Sequence, residues 1–425
     1  MIGSELPKGW KLVPLKEITS IIRGVSYPKE EAKLHPEENY VHILRGGNIQ
    51  DGKIVFETDD NVYVNSSLVG EEQFVLKDDV VIVASTGSKK VIGKAATIEE
   101  DSRCISFGAF LLLLRTNVID KRFHSYFFQT QYYRNTISSL AGGININNIK
   151  KEHIENLQIP LPPLTEQKQI AEKLDKLFDQ IETIKEASNK IPELLKNFRQ
   201  QVLTYAVTGK LTEEWRKERQ LDEWHTELAK DCCEKVQSGG TPKGGQFALS
   251  GIPFLKVYNI VGNKIDFESE PQYVSEEIQN SQIKKSITYP GDVIMNIVGP
   301  PLNKVAIIPD TYKEWNINQA ITLFRPKEYL NNQYLYYFFC EGASVNSVLD
   351  KTRGVVGQVN ISLSQCREFA ISIPPMEEQL EIVKRIQTLF DVLDDVERRY
   401  KVLCEKLDKL PQAILCKTFK GELIN

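Results

Sequence analysis

Apolar residues recur at alternating steps of four and three along two long stretches of the chain. The predicted packing positions are Leu174, Leu177, Ile181, Ile184, Leu195 and Phe198 in the first stretch and Ile386, Leu389, Leu393, Val396, Leu407 and Leu410 in the second. This spacing places the apolar side chains on one narrow stripe of an α-helix, which is a heptad seam. A stretch of about 40 residues would form a helix roughly 60 Å long at 1.5 Å per residue.

Prolines lie at the start of both seams and again inside them. Pro162-Pro163 and Pro374-Pro375 immediately precede the apolar stripes, where proline's missing N–H costs nothing, so they indicate helix starts. Pro192 and Pro411 lie within the stripes, and we expect them to kink or briefly interrupt the helices.

The chain contains an internal duplication. The segment Ile159-Pro-Leu-Pro-Pro-Leu-Thr-Glu-Gln167 recurs as Ile371-Ser-Ile-Pro-Pro-Met-Glu-Glu-Gln379, displaced by 212 residues, and Gly209 returns as Gly421 at the same displacement. An isolated heptad run is equally typical of an ordinary core helix, but this recurrence without insertions favours a dedicated spacer. The two helices most simply pack on each other as a long antiparallel coiled coil, because a large globular segment separates them and a pseudo-two-fold axis would relate them.

Between the seams lie short β-branched and aromatic runs bounded by Gly, Asn and Asp. The predicted strands cover residues 80–82, 110–114, 293–297 and 321–324, and aromatic-rich helices are predicted at 123–133 and 334–339. The pattern predicts an α+β fold in which two pseudo-symmetric mixed α/β domains are separated by the long antiparallel two-helix coiled coil. The predicted division is 1–160 and 216–372 for the domains and 161–215 and 373–425 for the helix regions.

Composition places the chain among ordinary globular proteins. It has 425 residues, of which 41% are hydrophobic and 26% charged, and its formal net charge is −4. That balance provides no chain-wide attraction to nucleic acid or anionic membrane, so any polyanion would have to meet a local patch. We expect a cytoplasmic protein, because no apolar run approaches the roughly 18 residues of a membrane span and the N-terminus lacks a basic-then-apolar signal. The seven cysteines lack Cys-x-x-Cys spacing and indicate neither disulfides nor a metal site.

Searches for catalytic motifs fail. Thr208-Gly209-Lys210-Leu211 lacks the first glycine and the terminal hydroxyl of a phosphate-binding loop. Gly299-Pro300-Pro301-Leu302 lacks the polar and aromatic ends that a base-directed methyltransferase loop needs, and Pro309-Asp310 is not followed by the acid-x-Lys triplet of a nuclease site. The five histidines are scattered, without a His-Glu-x-x-His motif. The sequence therefore predicts no catalytic residue.

The repeated segments carry a family resemblance. Pro162-Pro163-Leu164-Thr165-Glu166-Gln167 and Pro374-Pro375-Met376-Glu377-Glu378-Gln379, together with the opening Leu6-Pro7-Lys8-Gly9-Trp10, resemble motifs of the specificity subunit of type I restriction-modification systems. The resemblance covers essentially the whole chain. It implies a non-catalytic protein whose two target-recognition domains each read one half of an asymmetric double-stranded DNA site, while the helices fix the distance between the halves.

The resemblance also implies partners and cofactors. Two modification (methyltransferase) subunits would dock around the helices, and restriction or motor subunits would join them, with no membrane involved. The chain itself would bind no cofactor, and S-adenosylmethionine, ATP and Mg²⁺ would belong to the partner subunits. The first copy continues past Gly209 as Thr212-Glu213-Glu214-Trp215-Arg216, whereas the second ends at Asn425, so closure between the chain ends is not implied.

Residue chemistry, and not the family motifs, selects the candidate DNA contacts. Arg and Lys suit guanine edges and phosphates, and Asn and Gln suit adenine edges. The candidates are Arg23, Arg45, Asn48, Lys89, Lys90, Asn145, Asn147 and Asn148 in the first domain and Lys256, Asn259, Lys304, Arg353, Gln358 and Asn360 in the second. Each alone is more typical of a solvated charge or a turn residue. Their matched positions in both copies make DNA contact and these ordinary roles equally consistent with the pattern.

Two other function classes stay open at this point. A non-catalytic adaptor that binds proteins through its duplicated domains and coiled coil would suit the acidic balance, because self-sufficient DNA-binding proteins usually carry a basic patch. An enzyme is disfavoured by the failed motif searches. Bipartite DNA binding in the presence of an adenine methyltransferase subunit would distinguish the first two classes.

Overall fold

The computed structural model describes residues 6–50, 52–56, 61–141, 147–245, 247–351 and 360–423. The chain forms two compact units, one of residues 1–189 with 401–425 and the other of residues 190–400. The unit boundaries lie within the long helical regions, so each unit combines one predicted recognition domain with part of both helical regions. The functional limits predicted at 160/161, 215/216 and 372/373 remain a prediction.

The first unit is a mixed α/β structure. Its strands are β1 Lys11–Pro14, β2 Ser20–Arg23, β3 Tyr40–Leu44, β4 Ile49–Gln50, β5 Lys53–Ile54, β6 Val62–Asn65, β7 Val80–Val83, β8 Ser85–Thr86, β9 Ala95–Thr97, β10 Ile105–Phe107, β11 Leu111–Arg115, β12 Asn147–Asn148 and β13 Gln158–Leu161. Its helices are α1 Lys121–Phe128, α2 Gln131–Leu140, α3 Lys151–Glu155 and α4 Leu164–Ser188. The continuous apolar runs of β7 and of Leu111–Leu114 are buried on both faces, as expected of central strands.

The second unit repeats this plan. Its elements are α5 Ile191–Val207, α6 Glu213–Arg219, β14 His225–Leu228, α7 Ala229–Cys232, β15 Cys233–Ser238, β16 Ile252–Leu255, β17 Ile260–Val261, β18 Lys264–Ile265, β19 Tyr273–Val274, α8 Glu276–Ser281, β20 Ile287–Thr288, β21 Val293–Asn296, β22 Val305–Ile307, β23 Trp315–Ile317, β24 Ile321–Pro326, α9 Asn332–Glu341, α10 Ala343–Lys351, α11 Leu363–Arg367 and β25 Ala370–Ile373. They are followed by α12 Met376–Thr418, whose residues from Lys401 belong to the first unit.

Corresponding sheets have corresponding strand orders. A four-stranded antiparallel sheet has the order β2-β11-β7-β9 in the first unit and β15-β24-β21-β22 in the second. A second sheet contains the parallel pair β10–β3 in the first unit and β16–β23 in the second. The first and last strands of each domain also pair, as β1 with β13 and as β14 with β25. The duplication read from the sequence is therefore a duplication of topology.

A buried ion pair closes the same turn in each of the four-stranded sheets. Arg115 at the end of β11 binds Asp79 at 2.6 Å, and Arg325 of β24 binds Asp292 at 2.7 Å. The two aspartates are only 2% and 3% exposed. Each carboxylate also accepts a main-chain hydrogen bond from the residue three positions earlier, at 2.8 Å. These pairs fix the turn that leads into the central strand of each sheet.

The proline predictions are confirmed at the helix starts and at one interior site. α4 begins directly after Pro163 and α12 directly after Pro375. Pro192 lies in the first turn of α5, after the break that separates α5 from α4. At Pro411 the helix is not interrupted, since α12 continues through it to Thr418, and the alternative of a kink there remains a prediction. The aromatic segment predicted as one helix at 123–133 is divided into α1 and α2, because the Thr130 side chain caps the start of α2.

Within each unit, segments of the long helices lie side by side and run antiparallel. In the first unit Lys173 donates to the carbonyl of Leu423 at 2.5 Å, and Lys185 lies 3.6 Å from Asp408. In the second unit Arg385 donates to the carbonyl of Leu211 at 2.9 Å, and Arg199 pairs with Asp394. Lys173 and Arg385 are 212 residues apart, as are Leu211 and Leu423, so the two units contain the same contact.

The two ends of the chain meet inside the first unit. Leu6 and Leu423 both pack against the apolar core that contains Phe123 and Phe127. Gly421 has a positive φ of 77°, and a Cβ atom there would lie 2.1 Å from Cγ of Pro7, so glycine is required at this position. The ends are therefore packed together, although the sequence did not imply it.

Candidate nucleic-acid interface

One end of the four-stranded sheet in the first unit brings several predicted candidates together. Arg23 is exposed at the end of β2, where it pairs with Leu112, and β7 ends nearby, where Val83 pairs with Leu111. The segment 87–90, which contains Lys89 and Lys90, follows at this end and is exposed. We call the sheet end formed by Arg23 and residues 83–90 the first edge.

Asn147 and Asn148 lie beside the first edge because β12 pairs with β8. Asn148 is exposed, whereas Asn147 is 4% exposed and its amide donates to the carbonyls of Thr86 and Gly87 at 3.4 Å. The structure therefore corrects the prediction for Asn147, whose side chain is committed to holding the loop. Asn148 keeps a side chain at the surface.

Arg134 supports the same loop and was not selected from the sequence. Its guanidinium donates to the carbonyls of Ile92 and Lys90, the latter at 3.1 Å. Burial lowers the pKa of Arg134 from its ordinary value. Nothing in the local sequence distinguishes this arginine from an ordinary surface residue of α2, because its partners lie about forty residues away.

The corresponding end of the second unit holds Lys304 and Asn360. Lys304 is half-buried, and its Nζ donates to the carbonyl of Val257 at 3.4 Å. Asn360 is exposed and forms a β-bridge with Val298. The Lys256 ammonium lies over the ring of Phe247, 4.7 Å from its centroid, so this candidate is partly shielded by an aromatic side chain.

Asn48 and Asn259 are buried, and the structure corrects the prediction that they contact DNA. Both are 1% exposed. Asn48 accepts from the backbone N–H of Arg45 at 2.7 Å, and Asn259 accepts from that of Lys256 at 2.9 Å. Both amides also donate to main-chain carbonyls further along the chain. Their recurrence in the two copies reflects a shared turn, because each closes a short 3-10 helix. Arg45 is half-buried at this turn.

Three further candidates lie outside the described residues. They are Asn145, Arg353 and Gln358.

The repeated Glu-Gln pair joins each helix to its domain. Gln167 accepts from the backbone N–H of Asp120 at 2.9 Å and donates to the carbonyl of Pro162 at 2.8 Å. Gln379 makes the equivalent bonds with Asn331 at 2.7 Å and with Pro374 at 2.8 Å. Asp120 and Asn331 are the N-caps of α1 and α9, so each glutamine connects two helix starts.

The glutamate of each pair accepts from a tryptophan indole. Trp10 donates to Glu166 at 3.0 Å, and Trp224 donates to Glu378 at 2.9 Å. Glu378 is fully buried and also accepts from Thr212 at 2.6 Å. Trp224 was not recognised as the partner of Trp10, because the segment before it lacks the Pro-x-Gly of the first copy.

A second glutamine pair was also missed, although its spacing is 212. Gln412 donates to the carbonyl of Gln129 at 2.9 Å in the first unit, and Gln200 donates to the carbonyl of Glu341 at 2.8 Å in the second. Each bond connects a long helix to the end of an aromatic helix. Comparison of residues 200 and 412 would have revealed the pair, but the flanking residues differ.

The predicted packing positions are buried only in part. Those with buried side chains are Leu174, Ile181, Ile386, Leu393 and Leu407, and those half-buried are Leu177, Leu195 and Leu389. Ile184, Phe198, Val396 and Leu410 are instead exposed, by 39 to 45%. The heptad pattern therefore predicts more buried positions than the structure has. A 3.5-residue repeat drifts by about 20° per heptad around a straight α-helix, so some positions turn away from the packing partner.

Across the described ranges, no group of three or more His, Cys, Asp and Glu residues is arranged to hold a metal ion. In the same part of the chain, no helix combines the length and apolarity of a membrane span. The first edge offers exposed cations and an exposed amide, Asn148, which suits noncovalent recognition of an anionic, hydrogen-bonding ligand.

Comparison with known proteins gives a consistent result. A family profile described as the type I restriction modification DNA specificity domain matches residues 7–193 and 222–403. The type I restriction enzyme EcoKI specificity subunit of Escherichia coli K12 is 35% identical over 433 residues, covering 100% of this chain and 91% of that protein. The StySPI specificity subunit of Salmonella potsdam is 34% identical with the same coverage.

Solved structures share the fold. The crystal structure of an HsdS subunit from Thermoanaerobacter tengcongensis superposes with a TM-score of 0.68 at 19% identity, covering 99% of this chain and 98% of that one. A structure concerned with complex assembly and conformational transition of the type I R-M system gives 0.65 at 19% identity, covering 99% and 100%.

Proposed function

This chain belongs to the family of type I restriction-modification DNA specificity subunits, and we propose that each of its two domains reads one half of a bipartite DNA site while the helices set the distance between the halves. As a specificity subunit, the chain is non-catalytic. The observation that carries the proposal is a contact between the two helical regions that occurs in both units. It joins Lys173 to Leu423 in the first unit and Arg385 to Leu211 in the second.

The ruler role requires the two long helices to form one antiparallel coiled coil. Two observations within each unit support this coiled coil. Segments of the two helical regions run antiparallel, and the Glu-Gln pair joins the domain to a helix start. A domain tied to its helix by several hydrogen bonds cannot change its position without moving the helix. The length of helix between the two domains would then determine how many unread base pairs separate the two half-sites.

The DNA-reading role is assigned to the first edge and its counterpart in the second unit. Arg23, Lys89 and Lys90 are exposed at one end of the sheet, and Asn148 lies beside them. Cations fix a protein on the phosphate backbone, whereas amides discriminate between bases. Because the net charge is −4, these local cations would have to supply the attraction, together with contacts made by partner subunits.

Reversing both charges in Lys89→Glu/Lys90→Glu is expected to weaken DNA binding by the assembled complex. The slope of log K against log salt concentration should become shallower by roughly one unit for each phosphate contact that is lost. Fluorescence anisotropy titrations at several salt concentrations measure both quantities.

The matched control is Lys11→Glu/Lys16→Glu, which changes the net charge equally. Both lysines are exposed. They precede Ser20, the first residue of β2, which pairs with Arg115, whereas the first edge lies at the other end of β2, at Arg23. This variant should keep most of the salt slope. Equal slopes for the two double variants would remove Lys89 and Lys90 from the interface.

Apolar side chains left exposed on α5 suit the docking of a modification subunit. Leu194, Phe198 and Tyr205 are exposed by 63, 44 and 40% and lie on one side of the helix. Large apolar side chains rarely remain on a monomer surface in a contiguous row unless another protein covers them. We assign this stripe to a methyltransferase subunit, because the family's proteins assemble with other subunits. The number of such subunits, proposed to be two, and the addition of restriction or motor subunits rest on the family resemblance.

Leu194→Asp/Phe198→Asp should weaken assembly with the methyltransferase subunit by at least about tenfold, because burying two carboxylates opposes docking. Size-exclusion chromatography and calorimetric titration of the co-expressed subunits measure the effect. Asn197→Asp adds the same kind of charge at a neighbouring exposed position and should bind normally. Normal assembly of the double variant would exclude the stripe.

The proposed function as a whole is tested by purifying the chain with and without an adenine methyltransferase subunit. The complex should bind a DNA containing both half-sites much more tightly than a DNA containing one. An adaptor protein would show no bipartite DNA binding under either condition. We assign S-adenosylmethionine, ATP and Mg²⁺ to the partner subunits. Adding them should therefore not change which DNA sequence the complex prefers.

A further inference from the structure

Phe110 is a large apolar side chain held in solvent at the first edge. It lies in the turn before β11 and is 66% exposed. Its carbonyl accepts from the backbone N–H of Ala84 at 2.9 Å and from that of Ser85 at 3.1 Å. The backbone at Phe110 is therefore fixed by two hydrogen bonds, although the ring itself is exposed. An exposed aromatic side chain on an ordered backbone is typical of recognition surfaces, since the backbone loses little conformational entropy on binding.

The turn that contains Phe110 is closely packed against the segment that follows Arg23. The same turn contains Gly108, which forms a parallel bridge with Val25, two residues after Arg23. A Cβ atom at Gly24 would lie 2.1 Å from the carbonyl oxygen of Gly108, so the two segments are in direct contact. On the other side, Ser85 leads into the loop of Lys89 and Lys90. Phe110 thus lies at the same end of the sheet as the exposed cations that we assign to phosphate contacts, in the turn next to the segments that carry Arg23 and Lys89–Lys90.

The second unit has no aromatic side chain at this position. There the backbone N–H of Ile297, which follows β21 as Ala84 follows β7, donates to the carbonyl of Ala320 at 2.8 Å. The hydrogen-bond pattern therefore aligns Phe110 with Ala320. Because the backbone arrangement is the same in both units, the ring is not needed for the fold. It is a difference in chemistry between two otherwise matching edges.

We propose that Phe110 is a specificity-determining residue of the first domain that contacts the 5-methyl group of a thymine in its half-site. This inference rests on the proposed function of the first edge. A phenyl ring offers no hydrogen bond, so it distinguishes bases only by apolar contact. In the major groove, thymine is the base that presents an apolar methyl group. The cations at the same end of the sheet would hold the backbone while the ring meets the base edge.

Replacement of thymine by deoxyuridine removes only that methyl group and so tests the contact directly. The half-sites are first identified by mapping adenine methylation produced by the assembled complex. Oligonucleotides then carry uracil at one thymine position at a time. For the wild-type complex, one position in the half-site of the first domain should lose affinity by about fourfold, the effect expected for one buried methyl group.

In Phe110→Ala, thymine and uracil at that position should bind equally, whereas Phe110→Leu should keep part of the preference. Val118→Ala is the matched control, because Val118 is 65% exposed and lies beyond the opposite end of β11. It should discriminate as the wild type does. Since both replaced side chains are exposed, neither variant is expected to disturb folding.

Several results would overturn the inference. Equal affinity of the wild-type complex for thymine and uracil at every position of the first half-site would do so, as would uracil discrimination that persists in Phe110→Ala. Weakened assembly of Phe110→Ala with the methyltransferase subunit, with unchanged uracil discrimination, would assign the ring to a protein contact instead. If the wild-type complex showed no bipartite DNA binding, the proposed function itself would be contradicted. That result is distinguishable from a result that contradicts only the role of Phe110.

Discussion

Replacing Asp79 by alanine is expected to lower the free energy of unfolding of the first unit by about 3–5 kcal/mol, because it leaves the Arg115 guanidinium buried without its counter-charge. Arg115 binds both carboxylate oxygens of Asp79 and is itself only 14% exposed. Asp79 also accepts from the backbone N–H of Leu76, so the turn before β7 would lose a hydrogen bond. Hydrogen exchange should show faster opening of β7 and β11 and unchanged protection of β21 and β24.

Two further variants separate the burial of the pair from the mere loss of charge. Glu71→Ala removes the partner of Arg103, but these side chains are 82% and 72% exposed, so the cost should be no more than about 1 kcal/mol. Asp79→Ala/Arg115→Met removes both buried charges and should recover part of the lost stability. If Asp79→Ala and Glu71→Ala had similar effects, the buried pair would contribute no more than a surface one.

Lengthening both helices by four residues is expected to move the two half-sites apart in the preferred DNA by one or two base pairs. Four residues add about 6 Å to an α-helix, whereas one base-pair step covers about 3.4 Å. The insertions would follow Asn189, where the structure separates α4 from α5, and Tyr400, the last residue of the second unit along α12. Affinity for DNA with the original gap should fall more than about a hundredfold, because only one half-site can then be engaged.

The bases read in each half-site should be unchanged by these insertions. Methylation mapping on a library of gap lengths measures the gap and the half-sites in one experiment. A four-residue insertion between Glu99 and Glu100, which are exposed and lie in a loop of the first unit, is the control and should leave the gap as it was. A constant gap in the helix-insertion variant would mean that the helices do not act as a ruler.

The elements with strong local signals could be predicted from the sequence. The helix starts after Pro163 and Pro375 and the buried strands β7 and β11 follow from proline geometry and from continuous apolar runs. No interruption occurs at Pro411, where α12 continues despite the missing N–H. Local preferences are a weak constraint where a long helix is held by packing on both sides of the proline.

The candidate site was less predictable, because the role of a polar residue depends on what surrounds it. Asn48 and Asn148 are the same residue type in similar Gly- and Asn-rich contexts, yet one is buried in a turn and the other is exposed. Asn48 and Asn259 were selected as DNA contacts partly because they occupy matching positions in the two copies, but this match reflects a shared turn. Phe110 was assigned to a strand, and only the paired β7–β11 geometry leaves its ring in solvent.

The sequence by itself determined the duplication, the family and the two long helices, because these depend on spacing and periodicity, which are properties of neighbouring residues. Only the tertiary structure decided that Lys173 meets Leu423, that Gln200 and Gln412 anchor the helices, and which candidates lie exposed. Contacts between residues hundreds of positions apart arise when separate elements pack together. Such packing depends on the whole chain at once, so no local pattern records it.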